Sequence, residues 1–461
     1  MKIKFLSMLA LAATLLISCN NDDTNEIPVL DTNQGIMLKN GETKLITEEE
    51  LKITDSESNP AEIIFTITKA PIHGKLVKIT DTETSITIFS QKDIDDKQIQ
   101  YIHDSSFETS DSFTFTVTDG ENIISESEFS ISIYSSLSYV INYGSYSGDK
   151  STISVYEENS ELLTNRHYET VNTVPMVSNV QYAYNYDGKI FMMGNNLDQI
   201  FWVDEVTFKQ TQNGITDGII KPRFCVADGN YLYVSCWGGN IWEDITLSYI
   251  AKVNLDTKKV EKKIALEGGP EGLAIVNGKL YAALNYKKSI AVMDLDTEAI
   301  SYIETQAVSS YFIKDKKDNL YVSQIDSYSN PSTEEGLAYI NTTTNAYELY
   351  KLEGISSSYV NIMSANDDFS KLYVMTSAYD ASWNLSGAIA VFDTATKSFE
   401  ATNLVEGISG LNGVGFSDDK VFCFVSPSTT ANGKLVTYST NGTLIKEYET
   451  GISPLMLLEV K

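Results

Sequence analysis

One phrase recurs along the C-terminal two-thirds of the chain: a turn followed by Leu-Tyr-Val, then a strand of the form I-x-V-x-D-x-x-T. It reads Gly278-Lys279-Leu280-Tyr281, then Ile290-Ala291-Val292-Met293-Asp294-Leu295-Asp296-Thr297. It returns as Lys371-Leu372-Tyr373-Val374, then Ile389-Ala390-Val391-Phe392-Asp393-Thr394-Ala395-Thr396. Weaker copies put an aromatic at Phe191, Tyr233, Tyr321 and Phe422, so that the six rings stand 42, 48, 40, 52 and 49 residues apart. Short alternating strands with a period of about 40–50 residues build a β-propeller, one four-stranded blade per repeat.

Strands of the Leu-Tyr-Val type begin near Tyr139, Ile190, Tyr231, Leu280, Leu320, Leu372 and Val421, which predicts seven blades over residues 137–461. The first copy, Tyr139-Val140-Ile141-Asn142, has no partner strand before it. The stretch Pro454-Leu455-Met456-Leu457-Leu458-Glu459-Val460 resembles the start of a repeat, as in Pro270-Glu271-Gly272-Leu273. It is expected to complete the first blade and so remove the open sheet edge. With 27 Tyr, 18 Phe and 27 Gly, and no sustained helical stripe after residue 30, the fold class is all-β.

Residues 28–134 follow a different grammar. Ile63-Ile64-Phe65-Thr66-Ile67 is a strand, Pro71-Ile72-His73-Gly74 a turn, and Asp111-Ser112-Phe113-Thr114-Phe115-Thr116-Val117 alternates with period two. Together with Phe89, Asp93-Ile94, Tyr101, His103-Asp104 and Asp119-Gly120, these residues resemble a chondroitin-sulfate-proteoglycan repeat. That resemblance implies a cadherin-like β-sandwich, here a spacer. His103 lies in a strand motif of that family and is read as a packed residue. Asp55, Glu57, Asp111 and Asp119 supply oxygen ligands of the type calcium takes, but cadherin-type calcium sites sit between consecutive repeats, and only one repeat is present.

The net charge of −28 repels phosphate backbones and argues against nucleic acid or anionic lipid as a partner. Three histidines, His73, His103 and His167, are too few and too scattered for a His-ligated metal centre. No cofactor is called for. Cys225, Cys236 and Cys423 are read as small buried hydrophobes, because a tight turn at Asp228-Gly229 sets Cys225 opposite about Leu232 and out of reach of Cys236.

At the N-terminus, Lys2 and Lys4 precede an apolar run over residues 5–17, too short for an ordinary spanning helix. The run ends in Leu16-Ile17-Ser18-Cys19, which resembles a bacterial lipobox. The resemblance implies a signal peptide over 1–18 and lipidation of Cys19. Residues 19–27 then form an acidic tether. Asp22, Asp23 and Glu26 resemble the export tag of Bacteroidetes surface lipoproteins, implying an outer-membrane anchor facing the exterior.

Within each repeat the strand order is A, B, C, D, with Leu-Tyr-Val as B. Antiparallel pairing sends the B–C and D–A connections to one face and the tight A–B and C–D turns to the other. The first face is predicted to carry three long B–C loops, at 235–244, 324–331 and 376–384, holding Trp237, Trp242, Tyr328, Tyr379 and Trp383. Neighbouring blades add Tyr143, Tyr146, Asn285 and Tyr286, and D–A loops add Arg223 and Glu271. Exposed aromatics with scattered amides suit a large planar or ring-rich ligand.

The repeat pattern, with Gly268-Gly269-Pro270-Glu271-Gly272, resembles the YncE-like propellers. Part of their surface-lipoprotein branch, the BtuG type, captures cobalamin for a TonB-dependent transporter. The opening Asn142-Tyr143-Gly144-Ser145-Tyr146 departs from the Asn-Glu-Gly start common there. The resemblance implies a surface protein that captures a corrinoid and passes it to such a transporter; an enzyme is not expected, because the propeller's one histidine, His167, falls near a D strand and not at the central mouth. A siderophore or glycan ligand is an alternative, as is an adhesin or interaction scaffold.

Overall fold

The computed structural model describes residues 25–39, 41–104, 110–134, 137–146, 148–158, 161–210, 212–327, 329–355, 361–379 and 385–460. The segment expected to be a signal peptide, Cys19, Tyr328 and Trp383 lie outside them. The chain forms two compact units, residues 1–135 and 136–461. Among the described residues no helix is long and apolar enough to cross a membrane.

The first unit is a β-sandwich. A five-stranded sheet runs in the order Ile36–Lys39, Ile123–Tyr134, Ser110–Thr118, Ile64–Lys69, Ile88–Ser90. A three-stranded sheet holds Thr43–Leu45, Ile99–His103 and Gly74–Lys78. Alternation puts Phe113, Phe115 and Val117 on the inner side of one sheet and Ile99 and Tyr101 on that of the other, and all join one core. Phe65 stacks on Phe89 at 4.8 Å, and Phe113 on Phe129 at 4.9 Å.

Polar groups in this unit are closed on themselves. The Asp111 carboxylate accepts from the backbone N–H groups of Ile72, His73 and Ser112 at 2.9–3.0 Å and from the Tyr101 hydroxyl at 2.8 Å. Asp119 accepts from the N–H groups of Glu121 and Asn122, and Asp55 from those of Glu57 and Ser58. Asp55, Asp111 and Asp119 thus serve as turn caps. Among the described residues no three metal-ligating side chains converge. His103 is buried and accepts from the Gly41 N–H at 3.0 Å.

The second unit is a propeller of seven sheets. Its B strands are Leu137–Asn142, Lys189–Gly194, Tyr231–Cys236, Lys279–Leu284, Leu320–Ile325, Lys371–Tyr379 and Lys420–Val425, matching the repeated phrase. Pro454–Val460 pairs antiparallel with Leu137–Asn142, so the first blade is built from both ends of the unit and the ring closes. Blade 2 departs from the four-stranded expectation. Its sheet has three strands, and the outer position is reduced to a single Ile200–Ile215 bridge. Gly214 sits there because a Cβ would come within 2.7 Å of the Ile200 carbonyl oxygen.

The repeated residues have physical roles. The aromatic of each B strand, Tyr139, Phe191, Tyr233, Tyr281, Tyr321, Tyr373 or Phe422, is buried. Several wedge into the following blade: Tyr139 stacks on Phe208, Tyr373 on Phe416, and Phe422 meets Tyr156 across the closing seam. The D-x-x-T element is the C–D turn. Asp294 Oδ1 accepts from both the N–H and the hydroxyl of Thr297 at 2.8 Å, and Asp204–Thr207 and Asp393–Thr396 repeat the arrangement. These hydrogen bonds hold the Asp204 and Asp294 carboxyls below their ordinary range.

All three described cysteines are buried and free. Cys225 stands opposite Val234, two residues from the expected Leu232, because Asp228 pairs with Tyr231 and the turn falls at Gly229–Asn230, one position later than expected. Burial raises the thiols of Cys236 and Cys423 to about 12.

Candidate functional site at the channel mouth

The inner strands start at the face of the B–C and D–A connections, and their pairing is irregular at that end. Register shifts fall between Val180 and Tyr182, Pro222 and Cys225, Pro270 and Leu273, Ser309 and Phe312, and Leu411 and Gly413. A bulge takes a residue out of the ladder and re-aims its side chain. The residues released include Gln181, Arg223 and Glu271, one from each of blades 2, 3 and 4.

These three form one buried cluster. Arg223 Nε donates to Glu271 Oε1 at 2.9 Å and to Oε2 at 3.1 Å, while Arg223 Nη1 donates to Gln181 Oε1. The guanidinium lies 4.1 Å from the centre of the Trp237 ring, which meets Tyr286 edge-on at 5.8 Å. Trp237, like Arg223, favours the ionised form of the Glu271 carboxyl. Tyr143 feels the Arg223 charge; burial pushes its hydroxyl up and Arg223 pulls it back. Ser235 Oγ donates to the Glu271 carbonyl at 2.8 Å and ties blade 3 to blade 4.

Burial dominates the titration of Glu271. It drives the carboxyl from its ordinary 4.5 up to about 7, against the opposing pull of Arg223 and Trp237. A buried pair of this kind is poor evidence for stability, since desolvating both charges offsets their attraction. Its effect is to fix an oriented guanidinium and an indole at the mouth of the channel. Tyr182, Phe224 and Tyr311, with ring contacts of 4.6 and 5.9 Å, form an aromatic layer across blades 2, 3 and 5.

Five of the residues singled out from the sequence therefore converge: Tyr143, Arg223, Trp237, Glu271 and Tyr286. The expectation of an exposed Trp237 is corrected, since it is 7% exposed and packed by the arginine. Trp242 is 59% exposed, with Lys221 Nζ 4.8 Å from its ring, and Tyr146 is also exposed. Asn285 is buried, and its backbone N–H donates to the Gly269 carbonyl. The long loop expected over 376–384 is shorter, because Lys371–Tyr379 and Leu385–Asp393 continue as a paired hairpin. The Tyr379 side chain lies outside the described residues.

Sequence reasoning missed Gln181, although it holds the same place in its inner strand as Arg223 and Glu271. It also missed a cleft of ≈530 Å³ on this face, where blades 7, 1 and 2 meet. His167 follows the D strand of blade 1 and packs against Phe208 at 4.8 Å, where burial lowers its imidazole.

Residues 28–133 match the family described as Cadherin-like. The N-terminal unit is a cadherin-like domain. Over 136 residues the chain is 35% identical to human Extracellular matrix organizing protein FRAS1, covering 28% of this chain and 3% of that protein. Over 95 residues it is 30% identical to human Chondroitin sulfate proteoglycan 4, covering 21% of this chain and 4% of that protein. The chain thus spans only a small fraction of these relatives. A structure of a candidate 6-phosphogluconolactonase from Bacteroides fragilis superposes with a TM-score of 0.50 at 10% identity, covering 71% of this chain and 98% of that one. At that identity the likeness concerns the fold alone.

Proposed function

We propose that this chain is a lipid-anchored binding protein of the outer cell surface, which holds a ring-rich, amide-bearing ligand over the channel mouth. The leading candidate is a corrinoid, handed on to a TonB-dependent outer-membrane transporter. The observation that carries the reading is a pair of buried amide donors, Gln181 Nε2 and Asn285 Nδ2, without hydrogen-bond partners beside Trp237 and Tyr286. Buried donors left unpaired are costly, and a ligand presenting several carbonyl oxygens would satisfy them. Exposed Trp242 and Tyr146 offer flat surfaces on the same face. The lipobox ending at Cys19 supports the anchor, and the cadherin-like domain supports a role as spacer.

Calorimetric titration of the purified protein with cobalamin and cobinamide tests this. Binding tighter than about micromolar, weakened by Gln181→Leu and Trp242→Ala, is expected. If neither compound binds in that range, the corrinoid assignment fails. A second reading, adhesion, draws on the cadherin-like domain, whose relative carries the name of an extracellular matrix organizing protein. Retention of cells on matrix-coated surfaces, lost on gene deletion without loss of corrinoid uptake, would favour it.

A further inference from the structure

The chain contains only two arginines, Arg166 and Arg223. Arg223 is sealed into the channel mouth, whereas Arg166 stands at the rim of the cleft between blades 7, 1 and 2. We infer that this cleft is a second binding site, taking a short zwitterionic peptide whose carboxylate meets Arg166 and whose ammonium meets Glu169.

The lining sets the ligand's charge. Asp149 and Lys150 come from the B–C loop of blade 1, and Arg166 and Glu169 from the connection to blade 2. Two cations and two anions thus face one hollow of ≈530 Å³, within the size range of small-molecule sites. A simple anion would have to enter against a chain of net charge −28 and then face two carboxylates. A zwitterion meets neither penalty. The exposed Arg166 guanidinium makes one ion pair among the described residues, 3.3 Å from Glu169 Oε1, leaving its planar fork available to a carboxylate.

The acceptor stands beside that guanidinium. Glu169 Oε2 is buried and lacks a hydrogen-bond partner, on a residue that lines the cleft. Orphaned acceptors require donors, and an ammonium group carries three. Among the described residues the lining has no aromatic ring, and so no stacking surface for a sugar or corrin.

The site is held in shape before any ligand arrives. Gly451 is needed because a Cβ there would lie 2.2 Å from Thr152 Oγ1. Arg166 and Thr173 bracket the short helix His167–Asn172 with φ of 62° and 61°, a left-handed backbone that non-glycine residues keep only where the surroundings impose it. Asn172 imposes it by donating to the Phe208 carbonyl at 3.1 Å and accepting from the Gln210 N–H at 2.8 Å. Asn165 Nδ2 reaches across the seam to the Glu449 carbonyl at 3.0 Å.

Trialanine is the probe, titrated calorimetrically into the intact protein. Saturable binding is expected, weakened at least about tenfold by Arg166→Ala, by Glu169→Gln, and by acetylating and amidating the peptide ends. Arg166→Lys should restore part of the loss, and Lys150→Ala gives a second test if Arg166→Ala does not fold. No saturable heat up to about 10 mM trialanine, equal binding of the blocked peptide, or equal binding by both charge variants each overturns the proposal. Trp242→Ala should leave trialanine binding unchanged, so the outcome is separable from that of the corrinoid reading.

Discussion

The channel mouth and the seam cleft place the chain's two arginines in opposite circumstances on one face. Arg223 is closed in by Glu271, Gln181 and Trp237, so its charge is spent on organising neighbours. Arg166 is exposed, held by a strained backbone and paired once with Glu169. A cation enclosed by its partners shapes a surface, while one exposed at a rim is available to a ligand.

The largest test of that contrast is stability. Glu271→Leu leaves Arg223 buried without its carboxyl acceptor and should destabilise the propeller by about 3–5 kcal/mol in urea unfolding. Arg166→Ala should change stability by less than about 0.5 kcal/mol. Comparable losses would break the comparison. The pH profile sharpens it. With Glu271 at about 7 in the folded chain and near 4.5 when unfolded, the folded state binds the extra proton between those values. Wild-type stability therefore falls as pH rises from 4.5 to 7, and Glu271→Gln should flatten that slope.

Next in size is the pair of tryptophans. Trp237→Ala removes a 7% exposed ring and should cost about 3 kcal/mol, whereas Trp242→Ala, at 59% exposed, should cost under about 1 kcal/mol and act on binding instead. Smallest is Lys258→Gly. Lys258 is exposed and follows the C–D turn with φ of 57°, so glycine should raise stability by less than about 1 kcal/mol. A loss there would mean that the repeated left-handed turn position is not strained.

The blades were legible because packing repeats. A buried B-strand aromatic marks each copy and an Asp-x-x-Thr turn marks blades 2, 4 and 6, and Pro454–Val460 could be assigned to blade 1 by likeness to Pro270–Val276. Arg223 and Glu271 were legible as residues on the loop face, but not as partners, since only the bulged inner strands turn them toward each other. Trp237 misled because exposure depends on what covers a loop, and the cover is Arg223 from the same blade's inner strand. The cleft was invisible for a different reason. Asn165 and Glu449, 284 residues apart, meet only through ring closure.

That closure also sets an order in time. The channel-mouth cluster draws on blades 2, 3 and 4, which are consecutive along the chain. The seam cleft needs Thr450–Ile452, directly ahead of Pro454–Val460, the last strand of the ring to be synthesised. During synthesis the cleft is the last feature of this face to come into existence. Peptide binding would therefore report a finished ring, whereas the buried arginine pair would report only that its middle blades had formed.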